Sequence, residues 1–372
     1  MREAAAGAEE TLNPLGGAAG TPLGEPLPSA SPLTRGAAVI VLQRSARIVL
    51  PLLGAFVVIC AVIAGLGSNP LTLLGDLVSG ALGSQYDLSE TLMVTAPLIL
   101  TGLAAAIPFS ARLWNIGGDG QLYIGATAGV LVGLSVGRSV PGALLAALCV
   151  LAGTASGAVW ALVAGGIKLG VGGNEVIVTL MLNLLAANVA DYVVTGPWAQ
   201  GVSPQTRNIP AGATFGSFWQ SGFNETIFLA LAVALVAAVF MGRTKTGFGI
   251  RAVGRNLDAS RLAGFAVRRL WLGAFGLAGA AAGLAGALLV VGVHGALIPG
   301  MGEQYGYDGI AVALVAGLRP LYVIPAAFAF AVIEVGGTSL SATANVSTAI
   351  SYVIESVIVV SLLAFRAIRV RS

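Results

Sequence analysis

The chain has 372 residues, of which 56% are hydrophobic and only 9% are charged, and its formal net charge is +3. Because a soluble domain ordinarily carries about 25% charged residues, this composition excludes a typical soluble protein and indicates a chain embedded in lipid. The basic residues stand at the ends of apolar segments, which argues against a nucleic-acid partner and for a lipid bilayer. Cys60 and Cys149 both lie inside apolar runs, so a disulfide framework is not expected.

Residues 1–43 are rich in Ala, Gly, Pro, Glu and Ser and show no periodic apolar face. This pattern predicts a disordered cytoplasmic tail. A cleaved signal peptide is not expected, because the first apolar run begins only near Ile48. The rest of the chain, residues 44–372, is predicted to be one transmembrane domain with a cytoplasmic loop at 242–270.

Ten apolar segments predict an all-α, polytopic bundle of transmembrane helices. They are long and do not alternate apolar with polar residues, which favours helices over a β-barrel. They cover, approximately, residues 48–66, 92–109, 121–137, 142–166, 175–195, 227–241, 272–293, 308–318, 320–337 and 346–365. The eighth is too short to cross a hydrocarbon core of about 30 Å. It is either a half-helix or continuous with its neighbour across Arg319-Pro320, so eight to ten crossings are predicted.

The distribution of basic residues predicts that both termini are cytoplasmic. With ten crossings and the N-terminus inside, 17 of the 19 Lys and Arg residues fall on the cytoplasmic side. Arg138 and Arg207 fall outside. The positive-inside bias acts on short loops near helix ends, so this orientation is favoured over its reverse. The sequence therefore indicates a multi-pass protein of the cytoplasmic membrane.

A weak internal similarity indicates an inverted repeat of two five-helix halves. The stretch from Ile107 through Gly120 resembles the stretch from Ile298 through Gly309, and each continues into an apolar run. The two stretches are separated by an odd number of crossings and would therefore run in opposite senses through the membrane. Inverted repeats of this kind are found in many transporters.

The run NIGGDGQ from Asn115 to Gln121 joins two apolar segments and cannot be ordinary lipid-facing helix. Unpaired backbone groups at membrane depth must be buried in protein or line a water-filled cavity. One interpretation is a tight cytoplasmic turn in which Asp119 and Gln121 satisfy a helix N-terminus. The other is a broken helix in which Asn115 and Gln121 help to shape the path of a transported molecule.

A second group of polar residues begins with Asn174 and Glu175, at the start of the fifth segment. In the first helical turn Glu175 interacts favourably with the helix dipole, whereas deeper in the bilayer an acid costs about 2.5–3.5 kcal/mol and is retained for function. Asn183 and Asp191 follow at intervals that each turn about 80° beyond two full helical turns. The four residues predict a polar strip, which is either a substrate or gating surface or polar interhelical packing.

Four glycines in the seventh segment are predicted to serve packing rather than chemistry. They are Gly276, Gly279, Gly283 and Gly286. Their spacings put them on one helix face, where two backbones can approach closely in lipid. Glu334 and Glu355, in the last two segments, are expected to be paired in the interior of the bundle.

The sequence contains none of the familiar constellations of an enzyme or a metal site. His294 has no partner at metal-ligand or nucleophile–base spacing, and no H-E-x-x-H, G-x-S-x-G or Walker A motif is present. No catalytic residue, metal or cofactor is therefore predicted. If ATP drives transport by this protein, another polypeptide must hydrolyse it.

Seven of the 19 basic residues fall between Arg243 and Arg269, against a single acid, Asp258. Asn256 is a favourable N-cap and Gly264 is a favourable C′ residue, so they predict a helix of about two turns between them. An isolated helix this short is marginal in water. The sequence thus predicts a basic, partly helical cytoplasmic surface that needs a partner.

Four stretches of the sequence resemble the permease subunits of ABC importers for nucleosides, within the larger group that also serves ribose and branched-chain amino acids. They are GLAAAIPFSARLWNIGGDGQLYIGA (102–126), GGNEVIVTLMLNLLA (172–186), TKTGFGIRAVGRNLDASRLAGF (244–265) and GYDGIAVALVAG (306–317). The resemblance follows the membrane region in order and leaves out the tail. Trp114 and the Ala-Gly of GIAVALVAGLRP depart from the family and leave the choice of substrate open.

The resemblance implies that the protein is not an enzyme but the membrane-spanning part of an importer that works by alternating access. The helix at 257–263 would be the coupling helix, which inserts into a cytoplasmic ATP-binding subunit. The outer loop at 196–224, with Trp198, Trp219 and Phe223, would face an extracytoplasmic substrate-binding lipoprotein. A second permease subunit, identical or related, would stand beside the first. The residues assigned to ATPase coupling are Asn256, Leu257, Asp258, Arg261, Leu262 and Gly264.

The sequence alone leaves other functions open. A sugar such as ribose, or a branched-chain amino acid, is an alternative substrate within the same family. An ion-coupled secondary transporter would use Glu175, Asp191 or Glu334 as a proton or sodium site and would suit the inverted repeat equally well. An intramembrane enzyme is a further alternative, against which the absence of paired His, Cys or Ser residues argues.

Overall fold

The computed structural model describes residues 69–344, except 138, 202, 219–221 and 303, and individual residues between 54 and 64 and between 352 and 361. The predicted tail at 1–43, most of the first and last apolar segments, Glu355 and Trp219 lie outside the described residues. The described part is largely helical, in agreement with the predicted helical membrane bundle. The number of crossings, the orientation and the inverted repeat stay predictions.

Between residues 69 and 344 the chain forms eleven α-helices and two short strands. The helices are α1 (Pro70–Leu82), α2 (Gln85–Phe109), α3 (Gly118–Val136), α4 (Gly142–Val171), α5 (Glu175–Thr195), α6 (Thr226–Arg243), α7 (Lys245–Arg255), α8 (Leu257–Leu262), α9 (Val267–Leu289), α10 (Tyr305–Val315) and α11 (Pro320–Ala344). A π-helical turn, Val290–His294, extends α9. Six of these helices are long and apolar enough to cross a membrane, namely α2, α4, α5, α6, α9 and α11.

A helix lies on each predicted apolar segment within the described residues, but two further helices were not predicted. α1 has 13 residues, too few to stand out as a membrane span, and Asn69 caps it by accepting from the Leu71 N–H at 3.0 Å. α7 is an amphipathic helix, which buries Ile250 and Val253 while its charged residues face outward. Its polar character hides it from a search for apolar runs.

α10 is a half-helix that is not continuous with α11. Gly317 and Leu318 follow it with φ values of 65° and 60°, a left-handed turn that ends the helix before Pro320 begins the next. This geometry decides between the two interpretations of the eighth predicted segment. α3 is long enough to span the bilayer but is not among the six membrane-length apolar helices, because it begins with the polar run from Gly118 to Gln121.

Two short strands, β1 (Ala199–Gln200) and β2 (Ser203–Thr206), form an antiparallel hairpin that the all-α prediction did not include. The hairpin is fixed to the chain after α9, because the Thr206 N–H donates to the Leu297 carbonyl at 3.0 Å and the Leu297 N–H donates to the Thr206 hydroxyl at 3.0 Å. The long loop between α5 and α6 therefore lies over the end of α9.

α2 and α9 form the centre of the bundle. The most apolar part of α2 is 83% buried and that of α9 is 78% buried, whereas the corresponding parts of α4, α5 and α6 are each 28% buried. α2 contacts α6, α9, α10 and α11, and α9 contacts α2, α3 and α4. The outer faces of α4, α5 and α6 are therefore the ones available to lipid or to another subunit.

Glycines let α9 approach α3 and α4 backbone to backbone. A Cβ on Gly283 would lie 2.8 Å from the Gly157 Cα and would also overlap the Gly153 carbonyl. Gly279 and Gly286 are equally close to neighbouring backbones, whereas Gly276 makes an ordinary contact with a leucine side chain. The predicted packing role holds for three of the four glycines, and the fourth lies beside the contact.

Candidate translocation and coupling sites

The chain between α2 and α3 turns back sharply into the bundle. Arg112 has a φ of 56°, and the Leu113 N–H donates to the Pro108 carbonyl at 3.0 Å. After this turn the Trp114 side chain is 51% exposed, whereas Asn115 is buried. The turn thus sends the polar run from Asn115 to Gln121 into the protein rather than into lipid.

Asn115 and Gln121 bind each other through both ends of their amide groups. The Gln121 Nε2 donates to the Asn115 Oδ1 at 3.0 Å, and the Asn115 Nδ2 donates to the Gln121 Oε1 at 3.3 Å. The Asn115 Oδ1 also accepts from the Gly117 N–H at 3.1 Å. Both side chains are buried, so this pair fixes the beginning of α3 from within the protein.

Thr179 and Asn183, one turn apart on α5, hold the same loop from the other side. The Ile116 N–H donates to the Thr179 hydroxyl at 3.2 Å, and the Gly120 N–H donates to the Asn183 Oδ1 at 2.9 Å. The Asn183 Nδ2 donates to the Ile116 carbonyl at 2.8 Å. These bonds pair backbone groups at a helix start that would otherwise have no partner in a buried position.

Asp119 joins the beginnings of α3 and α10. Its Oδ1 accepts from the Gly306 N–H at 2.6 Å, and a Cβ on Gly118 would lie 3.0 Å from the Gly306 Cα. The carboxylate stands in the first turn of α3 and against the first turn of α10, where both helix dipoles favour a negative charge. The two stretches compared in the predicted repeat are thus in direct contact at these helix starts.

The geometry gives this buried polar cluster a positioning function. Asn115, Gln121 and Asn183 all find partners inside the protein, and together they set where α3 starts and how it meets α5. Asp119 and Gln121 lie in the first turn of α3, as the first interpretation expects, and both are buried in protein. Their contribution to translocation stays a proposal.

Asn174 and Glu175 lie at the turn between α4 and α5, where Asn174 is the N-cap and Glu175 is the first residue of α5. The Asn174 Oδ1 accepts from the Val176 N–H at 3.0 Å and so caps α5. The Glu175 Oε2 lies 2.7 Å from the Lys168 Nζ, with side-chain exposures of 13% for Glu175 and 26% for Lys168. The pair closes the turn, whose Gly172 has a φ of 69°.

Asp191 is not brought into the buried cluster. It is exposed near the far end of α5, and Asn188 is exposed close to it. Asn183, by contrast, is buried against the loop before α3. The predicted polar strip therefore divides into a part that faces the bundle and a part that faces away from it.

Sequence reasoning did not assign Thr179 or Lys168 to the site, and it gave Asp119 only a role at a helix N-terminus. Thr179 precedes Asn183 by one helical turn, so the helical repeat places both on the same face, and this spacing is a usable signal. Lys168 is separated from Glu175 by a glycine-rich turn, and the contact depends on how that turn folds. Asp119 contacts a residue far away in the sequence, which no local pattern indicates.

The predicted cytoplasmic loop folds into α7 and α8. Thr244 caps α7, since its hydroxyl accepts from the Gly247 N–H at 3.0 Å. Gly254 lies so close to the Ser110 carbonyl that no Cβ would fit, which seats α7 on the end of α2. The loop is therefore anchored to the centre of the bundle.

α8 has the caps that the sequence predicts. The Asn256 Oδ1 accepts from the Ala259 N–H at 3.0 Å, and Gly264 has a φ of 79° after the last helical residues. The Leu262 side chain is 90% exposed. Asp258 and Arg261 form an exposed ion pair at 3.4 Å. An apolar side chain this exposed on a capped six-residue helix is available for contact with another molecule.

The predicted cytoplasmic loop at 242–270 also touches the turn between α4 and α5. The Arg268 Nη2 donates to the Leu169 carbonyl at 3.0 Å, one residue from Lys168. Beside α8, a groove of about 350 Å³ is lined by α7 and α8 and includes Phe248, Arg251 and Phe265. The segment therefore combines an attachment to the bundle with an open, basic surface.

No group of three or more His, Cys, Asp or Glu residues that could hold a metal ion occurs in the part of the chain that the structure describes. His294 is exposed at the end of the π-helical turn, and Glu334 is half-buried within α11. The described cluster of Asn115, Gln121 and Asn183 contains amides rather than metal-binding carboxylates. Its chemistry is that of hydrogen bonding and positioning.

Six helices long and apolar enough to cross a membrane, with a buried polar loop before α3 and a basic helix pair at one end, define a multi-pass membrane protein. Residues 88–363 match the family described as the permease component of the branched-chain amino acid transport system. The chain belongs to this family, whose members are permease subunits of ABC transporters, and it is a multi-pass protein of the cell membrane. Membership argues against the ion-coupled and the enzymatic alternatives.

Three curated relatives are similar over most of their length. The glucose ABC transporter permease protein TsgB13 of Haloferax volcanii is 33% identical over 85% of this chain and 86% of its own. The nucleoside ABC transporter permease protein NupB of Lactococcus lactis is 31% identical over 80% of this chain and 86% of its own. The guanosine ABC transporter permease protein NupP of Bacillus subtilis is 32% identical over 83% of this chain and 93% of its own.

Proposed function

We propose that the protein is the permease of an ABC importer for nucleosides and moves its substrate by alternating access. Two of the three relatives carry nucleoside or guanosine in their names, and both are similar over most of the chain. The structural observation that carries the proposal is the 90% exposed Leu262 on a capped helix at the basic end of the bundle. A permease without an ATPase motif needs such a surface so that an ATP-hydrolysing subunit can bind it and change its conformation.

In this proposal α8 docks into a cytoplasmic ATP-binding subunit. Leu262 and Leu257 supply the apolar contact, and Arg261 and its neighbours supply charge around it. Asn256 and Gly264 stabilise the helix ends, so α8 keeps its shape when it is pushed. ATP binding then biases the bundle between two states, because a partner can shift an equilibrium only by contacting the two states differently.

A second permease subunit would cover the outer face of α5. Asn188 and Asp191 are exposed on this face, and Asp191 lies one turn before the C-terminal end of α5, where an acid left against lipid costs less than the about 2.5–3.5 kcal/mol of the bilayer centre. A partner helix or a water-filled path between two permeases would remove that cost. The buried part of the strip, with Asn183, would hold α3 in register while the exposed part lines the path.

An extracytoplasmic substrate-binding lipoprotein would deliver the nucleoside at the loop between α5 and α6. Trp198 and Phe223 are partly buried against the bundle, so they hold the loop in place rather than offer free surface. The hairpin of β1 and β2 carries the exposed Gln200, Gly201 and Ser203 and is the more accessible part of that loop. The tail at 1–43 is given no function in this scheme.

The test is guanosine uptake by proteoliposomes that contain this permease with its ATP-binding subunit, its permease partner and its lipoprotein. Leu262→Glu should abolish ATP-driven uptake while ATP hydrolysis and membrane insertion persist, because a carboxylate cannot replace the apolar contact. Leu71→Glu is the matched control, since Leu71 is 73% exposed in the first turn of α1, outside α8 and outside the turn between α4 and α5. Uptake by Leu262→Glu at the rate of the control would refute docking through α8.

Hexose import is the second candidate, because the glucose permease of Haloferax volcanii is 33% identical to this chain. Competition separates the two substrates. Under the nucleoside proposal, unlabelled adenosine or uridine should suppress guanosine uptake, and glucose in large excess should not. Suppression by glucose, together with saturable uptake of labelled glucose, would favour the hexose.

A further inference from the structure

A cavity of about 460 Å³ opens between the beginning of α2, the π-helical end of α9 and the loop before α6. In the predicted orientation this is the extracytoplasmic end of the bundle. Its volume lies in the range of about 300–1,000 Å³ that is usual for small-molecule sites. Its walls include Tyr86, Glu90, Phe215, Ser217, Asn224 and Gly292.

The walls of the cavity are built from unusual but well-fixed backbone. The π-helical turn Val290–His294 brings Gly292 to the surface of the cavity, and such turns are frequent at functional sites. The Val291 carbonyl accepts from the Phe215 N–H at 2.8 Å, and the Gly292 carbonyl accepts from the Asn224 Nδ2. The widened turn thereby holds the loop that completes the cavity.

An aromatic cluster supports the same loop from behind. The Phe218 and Phe223 ring centroids are 5.9 Å apart, and the Phe223 and Phe228 centroids are 5.7 Å apart. Phe228 belongs to α6, so the cluster ties the loop to that helix. The loop beside the cavity is therefore held by the Phe215 backbone bond to α9 and by aromatic packing against α6.

A buried hydroxyl without a partner lies directly behind the glycine wall. Thr226 is 1% exposed, and its Oγ1 has no hydrogen-bond partner. A Cβ on Gly292 would overlap this hydroxyl, so the absence of a side chain at Gly292 keeps it next to the cavity. Thr226 does not line the cavity and its hydroxyl is fully covered, so this contact fixes the Gly292 wall and offers no group to a bound solute.

The chemistry of the walls selects a neutral solute with hydroxyl groups and a flat apolar face. Glu90 is exposed at the cavity and accepts hydrogen bonds, while Tyr86 and Phe215 offer aromatic rings. No Lys, Arg or His stands among the described residues of the walls, so a phosphate or a free carboxylate would meet Glu90 without a compensating cation. Nucleotides and amino acids are disfavoured on this ground.

We infer that this cavity is a ribonucleoside subsite in which Glu90 accepts hydrogen bonds from the vicinal ribose hydroxyls and Tyr86 and Phe215 hold the base. The inference rests on the proposed function and names a site for its substrate. Carboxylate acceptors bind vicinal diols through two charge-assisted hydrogen bonds, and aromatic rings accept any base face. The subsite would receive the nucleoside before it passes into the bundle.

The test is direct binding to the purified full-length permease in nanodiscs, followed by saturation-transfer NMR with guanosine as the probe. Glu90→Gln should weaken guanosine binding by about tenfold or more, because it removes a charged acceptor. 2′,3′-Dideoxyguanosine should bind the wild-type permease about tenfold more weakly than guanosine and should show no further loss with Glu90→Gln. Guanosine 5′-monophosphate should bind more weakly than guanosine.

Asp76→Asn is the matched control, because it removes an exposed acid of α1 that does not line the cavity. Equal guanosine binding by wild type and Glu90→Gln would overturn the subsite, and so would equal binding of the dideoxy analogue. Glucose binding that depends on Glu90, without guanosine binding, would overturn the ribonucleoside assignment. If the assembled transporter imports guanosine but Glu90→Gln changes neither binding nor uptake, the subsite fails while the proposed function stands.

Discussion

Asn115 and Gln121 show how two amide groups fix the start of a buried helix. Each amide has a donor and an acceptor, and the two side chains satisfy one another while they also bind the backbone. A buried amide that loses its partner keeps its full desolvation cost. The two amides together therefore contribute more to the free energy of folding than the sum of two independent hydrogen bonds. The beginning of α3 depends on that reciprocity.

Gln121→Ala should lower the free energy of unfolding by about 1–3 kcal/mol, because it leaves the Asn115 amide buried and partly unpaired. Thermal unfolding of the purified permease in detergent measures the change. Asn188→Ala is the matched control, since the Asn188 amide donates to the Leu184 carbonyl of its own helix and is exposed. Equal unfolding temperatures for the two variants would contradict the role of the pair.

Glu175 and Lys168 should matter more for transport than for stability. Partly exposed ion pairs contribute only about 0–1 kcal/mol to folding, but this one closes the turn between two helices. Lys168→Glu and Glu175→Lys should each reduce guanosine uptake several-fold with little change in unfolding temperature. The double variant should recover most of the uptake, because it restores opposite charges at the same distance.

The outcome that would contradict this role is a double variant no better than either single variant. In that case each residue would act by itself, and a direct contact of Glu175 with a solute would become the better explanation. Glu175→Ala gives a second readout, since it should impair uptake more than it impairs folding. Normal uptake by Glu175→Ala would show that the Lys168–Glu175 ion pair has no role in transport and serves only the structure of the turn.

At the scale of elements, the glycine contact between α4 and α9 decides how tightly the core of the bundle closes. Gly283→Ala should destabilise the protein by about 1–3 kcal/mol, because its Cβ would overlap the backbone at Gly153 and Gly157. Gly273→Ala, on the same helix, has no atom within 4 Å of its Cβ and should be neutral or slightly stabilising. Thermal unfolding of both variants gives the comparison, and equal effects would refute the close contact.

The helices and their caps could be predicted from the sequence because each depends on neighbouring residues. The apolar runs predict the helices from α2 to α6, and Asn256 and Gly264 predict the ends of α8. α1 and α7 were not predicted, because the first is too short and the second is too polar to be recognised as an apolar run. The β1–β2 hairpin depends on a contact with the chain after α9 and has no local signal of comparable strength.

In the candidate site, too, residues marked by a local sequence pattern could be predicted, and features that depend on distant contacts could not. Asn115, Gln121 and Asn183 could be singled out because polar residues between apolar runs need an explanation, and the structure brings them together. Asp191 was singled out by the same reasoning, yet it faces away from the buried cluster. Each step of eight residues turns the strip by about 80°, so residues two steps apart lie on different faces of the helix. The cavity at Glu90 and Gly292 could not be predicted, because three separate elements and a π-helical turn create it.

At the scale of the whole molecule, a continuous set of contacts joins the basic end of the bundle to the beginnings of α3 and α10. Arg268 binds the end of α4, where Lys168 binds Glu175 at the start of α5. The Thr179 and Asn183 side chains of α5 bind the loop before α3. Asp119, in the first turn of α3, accepts a hydrogen bond from the Gly306 N–H at the start of α10. These contacts connect the start of α9 with the starts of α3 and α10 through protein alone, and their part in transmitting a movement of α8 stays a proposal.

The predicted orientation of the whole molecule can be tested by the accessibility of single cysteines. In a background in which Cys60 and Cys149 are replaced by alanine, Gln200→Cys should react with a membrane-impermeant maleimide on intact cells, because β1 lies in the predicted outer loop. Leu262→Cys should react only after the membrane is permeabilised, because α8 lies in the predicted cytoplasmic loop and is exposed there. Leu98→Cys, buried within α2, should react in neither condition and serves as the control for unfolded protein. Labelling of Leu262→Cys on intact cells would reverse the orientation, and α8 could then not meet a cytoplasmic ATP-binding subunit.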